Sequence, residues 1–351
     1  MGALMLILKC LITILLLVLC CKTEPLNIQH PSNPKPTFYL STWDTHVINR
    51  NNTFHYMASK LTKPEHGYFT MNTLPPPQDF DLINKNNIHL TVWKSFRIPS
   101  PEKKKKSYLW QIESPIAIQV PPPQNYVASF QKIFTYAKSA ADEKKVIYVP
   151  IPYNFEKIIR NYSLQHKKTL VTIVNTYHTG NLYDLRIKSV QWFLENHPND
   201  ILIYGSGWQS LKEKLSPNGQ NAFDSQYKGY TDDKIETIST SKFSLAYENT
   251  SFPDYVSEKI FDVMAAGSVP IYAGAPNITD YFPKACFISY NDFKSHEELY
   301  QFLTTMDDNT YQKYLNCIQK FMENPEKNPN HYKNVVNKIL KHIKKDRFSF
   351  F

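Results

Sequence analysis

The fold is decided by residues 243–274, which read FSLAYENTSFPDYVSEKIFDVMAAGSVPIYAG. Phe243–Tyr247 is a short run of aromatic and apolar residues, a pattern typical of a buried strand. Asp254 suits the N-cap of a following helix, and Gly267 suits its C′ position. The apolar residues that share one face of this helix are Val256, Ile260, Val263 and Met264. Since Val269–Tyr272 reads as the next strand, we predict a β-loop-α-β unit with two parallel strands.

The polar residues at the start of this helix carry the chemistry. Tyr255, Glu258 and Lys259 lie in its first turns, away from the apolar face. A helix N-terminus presents N–H groups and partial positive charge, which favour phosphate, and Lys259 adds a full charge. Glu258 is able to accept hydrogen bonds from a ribose diol, so the set suits a nucleotide diphosphate. On spacing alone, an ordinary strand–helix unit with a solvated Glu–Lys pair is the alternative.

Three segments of this stretch together resemble the donor-binding signature of the α1,3/α1,4-fucosyltransferases, glycosyltransferase family 10. They are Leu-Ala-Tyr-Glu-Asn-Thr at 245–250, Asp-Tyr-Val-Ser-Glu-Lys-Ile at 254–260 and Ala-Gly-Ser-Val-Pro-Ile-Tyr-Ala-Gly at 266–274. The match is long and specific, and it extends more loosely from about residue 85 to residue 315. The resemblance implies an α/β fold of the GT-B type, in which two Rossmann-like domains face a cleft, and GDP-fucose as the donor.

Length and composition set further limits. With 351 residues, of which 42% are hydrophobic, the chain is long enough for two domains with substantial cores. Lys and Arg number 40 against 31 Asp and Glu, but residues 326–351 alone carry seven basic and two acidic residues. The rest of the chain is only mildly basic, which gives nucleic-acid binding little support. None of the nine glycines forms a GxGxxG loop, so a dinucleotide-type Rossmann site is disfavoured.

The N-terminus carries a candidate membrane segment. Residues 3–21 are apolar except for Lys9 and Thr13, and these 19 positions are just enough to span a bilayer. We predict an uncleaved signal-anchor helix, with a cleaved signal peptide as the alternative. The Pro-rich residues 22–36 then form a stem. The resemblance implies a single-pass type II protein of the Golgi membrane, whose catalytic part faces the lumen.

Cysteines and glycosylation sequons bear on that compartment. Of the five cysteines, only Cys286 and Cys317 lie beyond the N-terminal segment, and they form either a disulfide or two buried free thiols. Asn-x-Ser/Thr sequons begin at Asn51, Asn161, Asn249 and Asn277. Because Asn249 lies within the proposed donor site, we expect it to be unglycosylated.

The first domain, predicted for residues 37–155 and expected to bind the acceptor, contains the candidate base. Tyr108–Pro115 is a short apolar run that ends at a lone carboxylate, Glu113, before Ser-Pro. Such a residue at a strand end points into the cleft, although a surface Glu at a turn also fits the spacing. The fucosyltransferases carry a similar Trp-…-Glu-Ser-Pro motif whose Glu is implicated as the base. Their Arg-Asp-Ser-Asp-like turn, however, is missing after Thr135-Tyr136.

The second domain, predicted for residues 165–325, is expected to bind GDP-fucose. Thr169–Asn175 reads as a strand and Leu185–Leu194 as the helix after it. Arg186, near the start of this helix, suits a bidentate phosphate contact, and an exposed helix Arg is the alternative. The family has an Arg at the matching place, which the resemblance implies binds the donor pyrophosphate. Residues 326–351 form a basic amphipathic tail, which packs on the globular part or contacts acidic lipids.

The resemblance implies an inverting mechanism with one base. Glu113 would take the proton from the attacking sugar hydroxyl, while Arg186 and Lys259 would stabilise the departing GDP. The residues expected to hold or shape the nucleotide site are Tyr255, Glu258 and Asn249. Direct displacement turns a β-linked donor into an α-linked product. The predicted activity is therefore that of an α1,3-fucosyltransferase acting on a GlcNAc-containing glycan of a glycoprotein or glycolipid.

We expect no cofactor and no essential metal, because cationic side chains take the place of a metal ion at the pyrophosphate. Asp79-Phe-Asp81 matches the Asp-x-Asp pattern of metal-dependent transferases, but it lies in a Pro-rich loop and fits a chance match better. Two other function classes stay open. One is a GT-B transferase that uses another sugar nucleotide, and the other is a non-catalytic glycan-binding relative.

Overall fold

The computed structural model describes residues 37–42, 70–74, 88–92, 107–114, 127–155, 157–159, 167–175 and 181–348. For 37–42, 70–74, 88–92 and 347–348 this description covers the backbone and, of the side chains, that of Leu90 alone. The predicted signal-anchor segment and stem, the sequons at Asn51 and Asn161, and Asp79-Phe-Asp81 lie outside these ranges. Within the ranges, no helix combines the length and the apolar character needed to cross a membrane.

The first sheet has six described strands. They are β1 (Thr37–Thr42), β2 (Thr70–Leu74), β3 (Ile88–Val92), β4 (Ser107–Gln111), β5 (Lys132–Thr135) and β6 (Val146–Tyr148). Their order is β2-β1-β3-β4-β5-β6, and all neighbouring pairs are parallel. Glu113 follows β4 and Tyr136 follows β5, so both residues leave the same carboxyl edge of the sheet.

The second sheet has five described strands. They are β7 (Thr169–Val174), β8 (Ile201–Tyr204), β9 (Ser241–Tyr247), β10 (Val269–Ala273) and β11 (Ile288–Ser289). Their order is β11-β10-β9-β7-β8, and all pairs are parallel. The winding direction therefore reverses between β7 and β9. Open parallel sheets bind their ligands outside the carboxyl ends of the strands at such a switch point.

Seven helices surround the second sheet in the part of the chain that is described. They are α1 (Leu182–Asn196), α2 (Gln209–Lys212), α3 (Pro217–Gln226), α4 (Lys234–Ser239), α5 (Glu258–Ala265), α6 (His296–Thr305) and α7 (Asp308–Met322). The predicted β-loop-α-β unit is β9-α5-β10, with β9 and β10 parallel. Gly267 lies directly past the helix end with φ +66°, as predicted for a C′ glycine.

The predicted N-cap of α5 is wrong. The residue that precedes the helix is Ser257, and Asp254 lies three residues further upstream in a left-handed conformation with φ +64°. The carboxylate of Asp254 instead accepts hydrogen bonds from the backbone N–H of Lys138 and from the side chains of Asn277 and Tyr281. Contacts between distant parts of the chain have thus outweighed the local capping preference.

The chain ends in a helix that returns to the first sheet. This helix, α8 (Tyr332–Phe348), lays its apolar side against buried residues of β3 to β6 and the segment after β6. The helix side of this core consists of Val335, Val336, Ile339, Leu340 and Ile343. Asp346 adds polar ties, because it accepts a hydrogen bond from Tyr108 Oη at 3.3 Å and pairs with Lys132. Of the two expectations for the tail, packing on the globular part is the one observed.

A disulfide joins Cys286 to Cys317, with 5.1 Å between their Cα atoms. It ties the turn before β11 to α7, beside the core of the second sheet. The sequence left a disulfide and two free thiols as equal alternatives, and the disulfide is the one that forms.

Candidate active site

The carboxyl ends of β7, β9 and β10 meet at the switch point of the second sheet. The backbone N–H of Leu182, at the start of α1, donates to the carbonyl oxygen of Asn249 at 3.3 Å. The N–H of Glu248, directly after β9, donates to Ala273 O at the end of β10, 2.8 Å away. These bonds hold the start of α1 and the loop before α5 side by side, and the candidate site is built from these two segments.

Arg186 lies in the first turns of α1 and is only 2% exposed, so the alternative of an exposed helix Arg is wrong. Its Nη2 donates to Tyr247 O at 2.7 Å, at the end of β9. Its guanidinium carbon lies 4.7 Å from the ring centre of Tyr183. Burial lowers the pKa of Arg186, while Tyr183 and the carboxylates of Glu248 and Glu258 act in the opposite direction. A cation is therefore held inside the protein at the switch point.

Lys259 provides a second buried cation, with its side chain 8% exposed. Its Nζ lies 3.0 Å from Ser257 Oγ, 3.2 Å from Glu258 Oε1 and 3.5 Å from Glu248 Oε2. Burial works against the charge, but the two carboxylates outweigh it and raise the pKa of Lys259 above its ordinary value. The charge of Arg186 acts on Lys259 too, so the two cations lie within electrostatic reach of each other. Neighbouring buried cations make a site for an anion.

Glu258, the first residue of α5, has a side chain that is 50% exposed. Burial of the carboxyl works to raise its pKa, but the charges of Lys259 and Lys234 outweigh burial and hold the pKa to about 2. Glu258 is therefore ionised at neutral pH and presents an acceptor at the mouth of the cation pair. The alternative of a solvated Glu–Lys pair fits Glu258 only, because Lys259 is buried.

Glu113, from the first sheet, meets Tyr255, from the second. The hydroxyl of Tyr255 donates to Glu113 Oε1, which also accepts the N–H of Ser114 at 3.2 Å. Tyr255 is buried, and its ring centre lies 5.3 Å from that of Tyr136. Burial and the nearby charge of Glu113 raise the pKa of Tyr255, so its hydroxyl remains protonated and donates. Glu113 is half-buried and lies at a bend directly after β4.

Asn249 is half-buried in the loop after β9, and its contact in the site is the backbone bond to the start of α1 described above. The next residue, Thr250, is 1% exposed. Thr250 is the middle residue of the Asn249-Thr250-Ser251 sequon, and the serine of this sequon is exposed and donates to Gly274 O at 3.0 Å. Our expectation that Asn249 carries no glycan stays a prediction.

Tyr183 also belongs to the candidate site, and our reading of the sequence missed it. Burial is the main reason that its pKa is raised, and four charges also act on its hydroxyl, those of Arg186, Lys259, Glu113 and Glu258. All four of these charges belong to residues predicted for the site, and Arg186 is in contact with the ring itself. Tyr183 lies three positions before Arg186, on the same side of α1, and this spacing could have found it. The helix was predicted to begin at Leu185, which left Tyr183 in a loop.

Glu248 is the second member that was missed, although it lies inside the stretch that decided the fold. It is fully buried, and it accepts the N–H of Ser257 at 2.9 Å and the hydroxyl of Ser257 at 2.5 Å. Burial raises the pKa of Glu248, and Lys259 and Ser257 counteract it. Glu248 therefore fixes the start of α5 and the position of Lys259. Its place directly after a buried strand was the available signal.

The sequence profile described as "Glycosyltransferase family 10 (fucosyltransferase) C-term" matches residues 164–349, just over half of the chain. The 4-galactosyl-N-acetylglucosaminide 3-alpha-L-fucosyltransferase 9 of Mus musculus is 41% identical over 101 residues, which is 27% of this chain and 28% of the relative. The match thus spans little more than a quarter of that relative's length.

Solved structures resemble the chain over a greater length at lower identity. An α1,3-fucosyltransferase crystallised with GDP-fucose superposes with a TM-score of 0.54 and 17% identity, covering 92% of this chain and 94% of its own. HepE of Anabaena, in complex with UDP and glucose, superposes with a TM-score of 0.58 and 9% identity, covering 88% and 100%. At these identities the likeness establishes the fold, which is α/β and GT-B-like as predicted.

Replacing Glu248 by Ala should lower the free energy of unfolding by about 2–5 kcal/mol, because it leaves a buried N–H without its acceptor and Lys259 without its buried counterion. Glu248→Gln should cost less, since its amide oxygen can still accept from Ser257. The measurement is the guanidinium chloride midpoint. Glu236→Ala, at an exposed position of α4, is the matched control. Equal midpoints for Glu248→Ala and the parent would contradict the role given to Glu248.

Proposed function

The chain belongs to glycosyltransferase family 10, the fucosyltransferases, and from this premise we propose that it is an inverting α1,3-fucosyltransferase that uses GDP-fucose. The observation that carries the proposal is that Glu113 of the first sheet accepts a hydrogen bond from Tyr255 of the second, while the charges of Glu113, Arg186 and Lys259 all act on the hydroxyl of Tyr183. The names of the mouse relative and of the neighbour crystallised with GDP-fucose support the linkage and the donor.

The donor pyrophosphate is assigned to the cation pair. Arg186 offers a planar, fixed guanidinium, and Lys259 offers a point charge at the start of α5, where helix N–H groups add partial positive charge. Both are buried and held by other residues, so they need little rearrangement when the diphosphate binds. The ionised Glu258, at the mouth of the pair, accepts hydrogen bonds from the ribose hydroxyls. Asn249 shapes the loop on which these residues lie.

Transfer then proceeds as one displacement. The acceptor hydroxyl oxygen attacks the anomeric carbon of fucose while the bond from that carbon to the phosphate oxygen breaks. The acceptor proton goes to Glu113, and the negative charge that develops on GDP is taken up by Arg186 and Lys259. Both hydrogen bonds described for Glu113 fall on Oε1, so we assign proton acceptance to Oε2. Attack from the face opposite GDP inverts the β-linked donor to an α-linked product.

The remaining parts of the proposal concern the acceptor substrate and the cellular compartment of the enzyme. The acceptor is the GlcNAc of a glycan on a glycoprotein or glycolipid, and it binds against the first sheet. The enzyme is a type II protein of the Golgi membrane, anchored by residues 3–21. The Cys286–Cys317 disulfide supports an oxidising compartment such as the secretory lumen. No cofactor and no metal take part, because the cation pair supplies the charge.

The full-length chain, purified in detergent, should transfer fucose from GDP-fucose to acceptors that contain GlcNAc, and NMR of the product should show an α1,3 linkage. UDP-sugars and GDP-mannose should give no product. Activity should persist in EDTA; among the described residues, no group of three or more His, Cys, Asp and Glu side chains is placed to hold a metal ion. Transfer from another donor, or none at all, would overturn the proposal, and loss of activity in EDTA would overturn its metal-free part.

Glu113→Gln should lower kcat by a factor of about 10² to 10⁴, the usual contribution of a general base. The affinity for GDP should stay within about threefold of the parent value, because the cation pair is intact. Initial rates and calorimetry measure the two quantities. Glu213→Gln, at an exposed position directly after α2, is the matched control. If Glu113→Gln turns over at the parent rate, the base is a different residue.

Lys259→Gln should weaken GDP binding by about 10- to 100-fold, since it removes a charged hydrogen-bond donor worth about 1.5–3 kcal/mol. Gln keeps a polar group beside Ser257 and Glu248, so the fold should survive, which circular dichroism checks. Lys313→Ala, at an exposed position of α7, should leave GDP affinity unchanged. An unchanged dissociation constant for Lys259→Gln would remove Lys259 from the donor site.

A further inference from the structure

Asp254, next to Tyr255, has an unusual backbone. It has φ +64°, in the left-handed region that residues with a side chain rarely occupy, and it is only 6% exposed. Asp tolerates this conformation better than most residues, but a buried charge in a strained position persists only when its surroundings hold it.

Asn277 holds Asp254 through two reciprocal hydrogen bonds. The backbone N–H of Asp254 donates to Asn277 Oδ1 at 2.9 Å, and Asn277 Nδ2 donates to Asp254 Oδ1 at 2.8 Å. The hydroxyl of Tyr281 donates to the same Oδ1 at 2.7 Å. Asn277 and Tyr281 follow β10, so these contacts join two loops at the carboxyl edge of the second sheet.

The other carboxylate oxygen of Asp254 reaches the first sheet. The backbone N–H of Lys138 donates to Asp254 Oδ2 at 2.8 Å, and Lys138 Nζ lies 4.2 Å from the ring centre of Tyr281. Lys138 belongs to the turn after β5, the turn in which this chain departs from the fucosyltransferase pattern. Burial works to raise the pKa of Asp254, but the bonds from Asn277, Tyr281 and Lys138 outweigh it and lower the pKa, so the carboxylate is ionised.

The consequence for the active site lies one residue along the chain. Tyr255 donates its hydroxyl to Glu113, and its ring packs on Tyr136, which precedes Lys138 in the same loop. Fixing Asp254 therefore fixes both the backbone of Tyr255 and the distance between the loop after β5 and the donor loop. Glu113 depends on both for its orientation.

We propose that Asp254 is a positioning residue for the transfer reaction, which together with Asn277 latches the turn after β5 onto the donor loop and so sets Tyr255 against Glu113. This inference rests on the proposed function. We call the set Lys138, Asp254, Asn277 and Tyr281 the Asp254 latch.

The latch also bears on whether a glycosylation sequon is modified. Asn277-Ile278-Thr279 is a sequon, and Asn277 Nδ2 donates both to Asp254 Oδ1 and to Asp280 Oδ2, the latter at 3.0 Å. Both hydrogens of the amide are used. An N-linked glycan replaces one of them, so a glycan at Asn277 breaks one of these bonds. If the glycan takes the place of the hydrogen that bonds to Asp254, the latch loses this bond, so we expect the active enzyme to carry an unmodified Asn277.

The test uses a swap of the reciprocal pair in the full-length chain. Asp254→Asn and Asn277→Asp should each lower kcat about 10- to 100-fold, the first by losing the acceptor for Lys138 and the second by setting two carboxylates together. The double swap restores an Asn–Asp pair and should recover at least half of the logarithmic loss. The dissociation constant for GDP should change less than threefold throughout, because Arg186 and Lys259 are untouched. Asp232→Asn, at an exposed position, is the control.

Hydrogen exchange separates failure of the latch from failure of the proposed function. The amides of residues 138 and 254 should exchange faster in each single variant and recover in the double swap, whatever reaction the enzyme catalyses. If exchange behaves in this way but no variant or parent transfers fucose, the proposed function is wrong and the latch stands as a structural contact. Unchanged exchange and kcat in the single variants, or a GDP affinity that falls in step with kcat, would overturn the positioning role.

Mass spectrometry of the chain expressed in a eukaryotic secretory host tests the sequon. The active fraction should contain unmodified Asn277, and Thr279→Ala, which removes the sequon and keeps Asn277, should retain the parent kcat. A fully active preparation that carries a glycan at Asn277, and in which the amide of residue 254 exchanges faster than in the unmodified chain, would overturn the positioning role of the latch.

Discussion

Two buried cations within electrostatic reach of each other are the constraint on which the rest of this structure depends. Arg186 and Lys259 repel each other and have both lost most of their hydration, so neither is stable without fixed acceptors close by. The carbonyl of Tyr247 serves the first, and the carboxylates of Glu248 and Glu258 serve the second. Tyr247 and Glu248 lie at or just beyond the end of β9, where the winding of the second sheet reverses, and Glu258 is the first residue of α5. The anion site is thus a product of the topology and of one fully buried carboxylate.

The two sheets make contact at Glu113, the carboxylate proposed as the base. Tyr255 belongs to the loop before α5, yet its hydroxyl bonds to Glu113 of the first sheet and its ring packs on Tyr136. Asp254 adds a bond to the same region of the first sheet. Two consecutive residues of one loop, Asp254 and Tyr255, thus join the loop before α5 to Lys138 and Glu113 of the first sheet.

The parts of the fold that depend on local pattern were predictable from the sequence, and the parts that depend on distant contacts were not. The apolar face of α5 and Gly267 follow from spacing and backbone geometry, and both were predicted. Asp254 was misassigned because a helix cap is judged from its neighbours in sequence, whereas its actual partners are over a hundred residues upstream at Lys138 and more than twenty downstream at Asn277. Arg186 and Glu113 were found through the family resemblance, since spacing alone favours an exposed residue at both places.

The last helix of the chain completes the core of the first sheet, which has a consequence for biosynthesis. The ribosome delivers β1 to β6 well before α8, while domains ordinarily fold as they emerge. The apolar surface around Trp110 and Phe134 therefore has no cover from α8 until the residues of α8 have been made, long after the first sheet. A chain that lacks α8 therefore exposes the apolar face of its first sheet and becomes a substrate for chaperones and quality control.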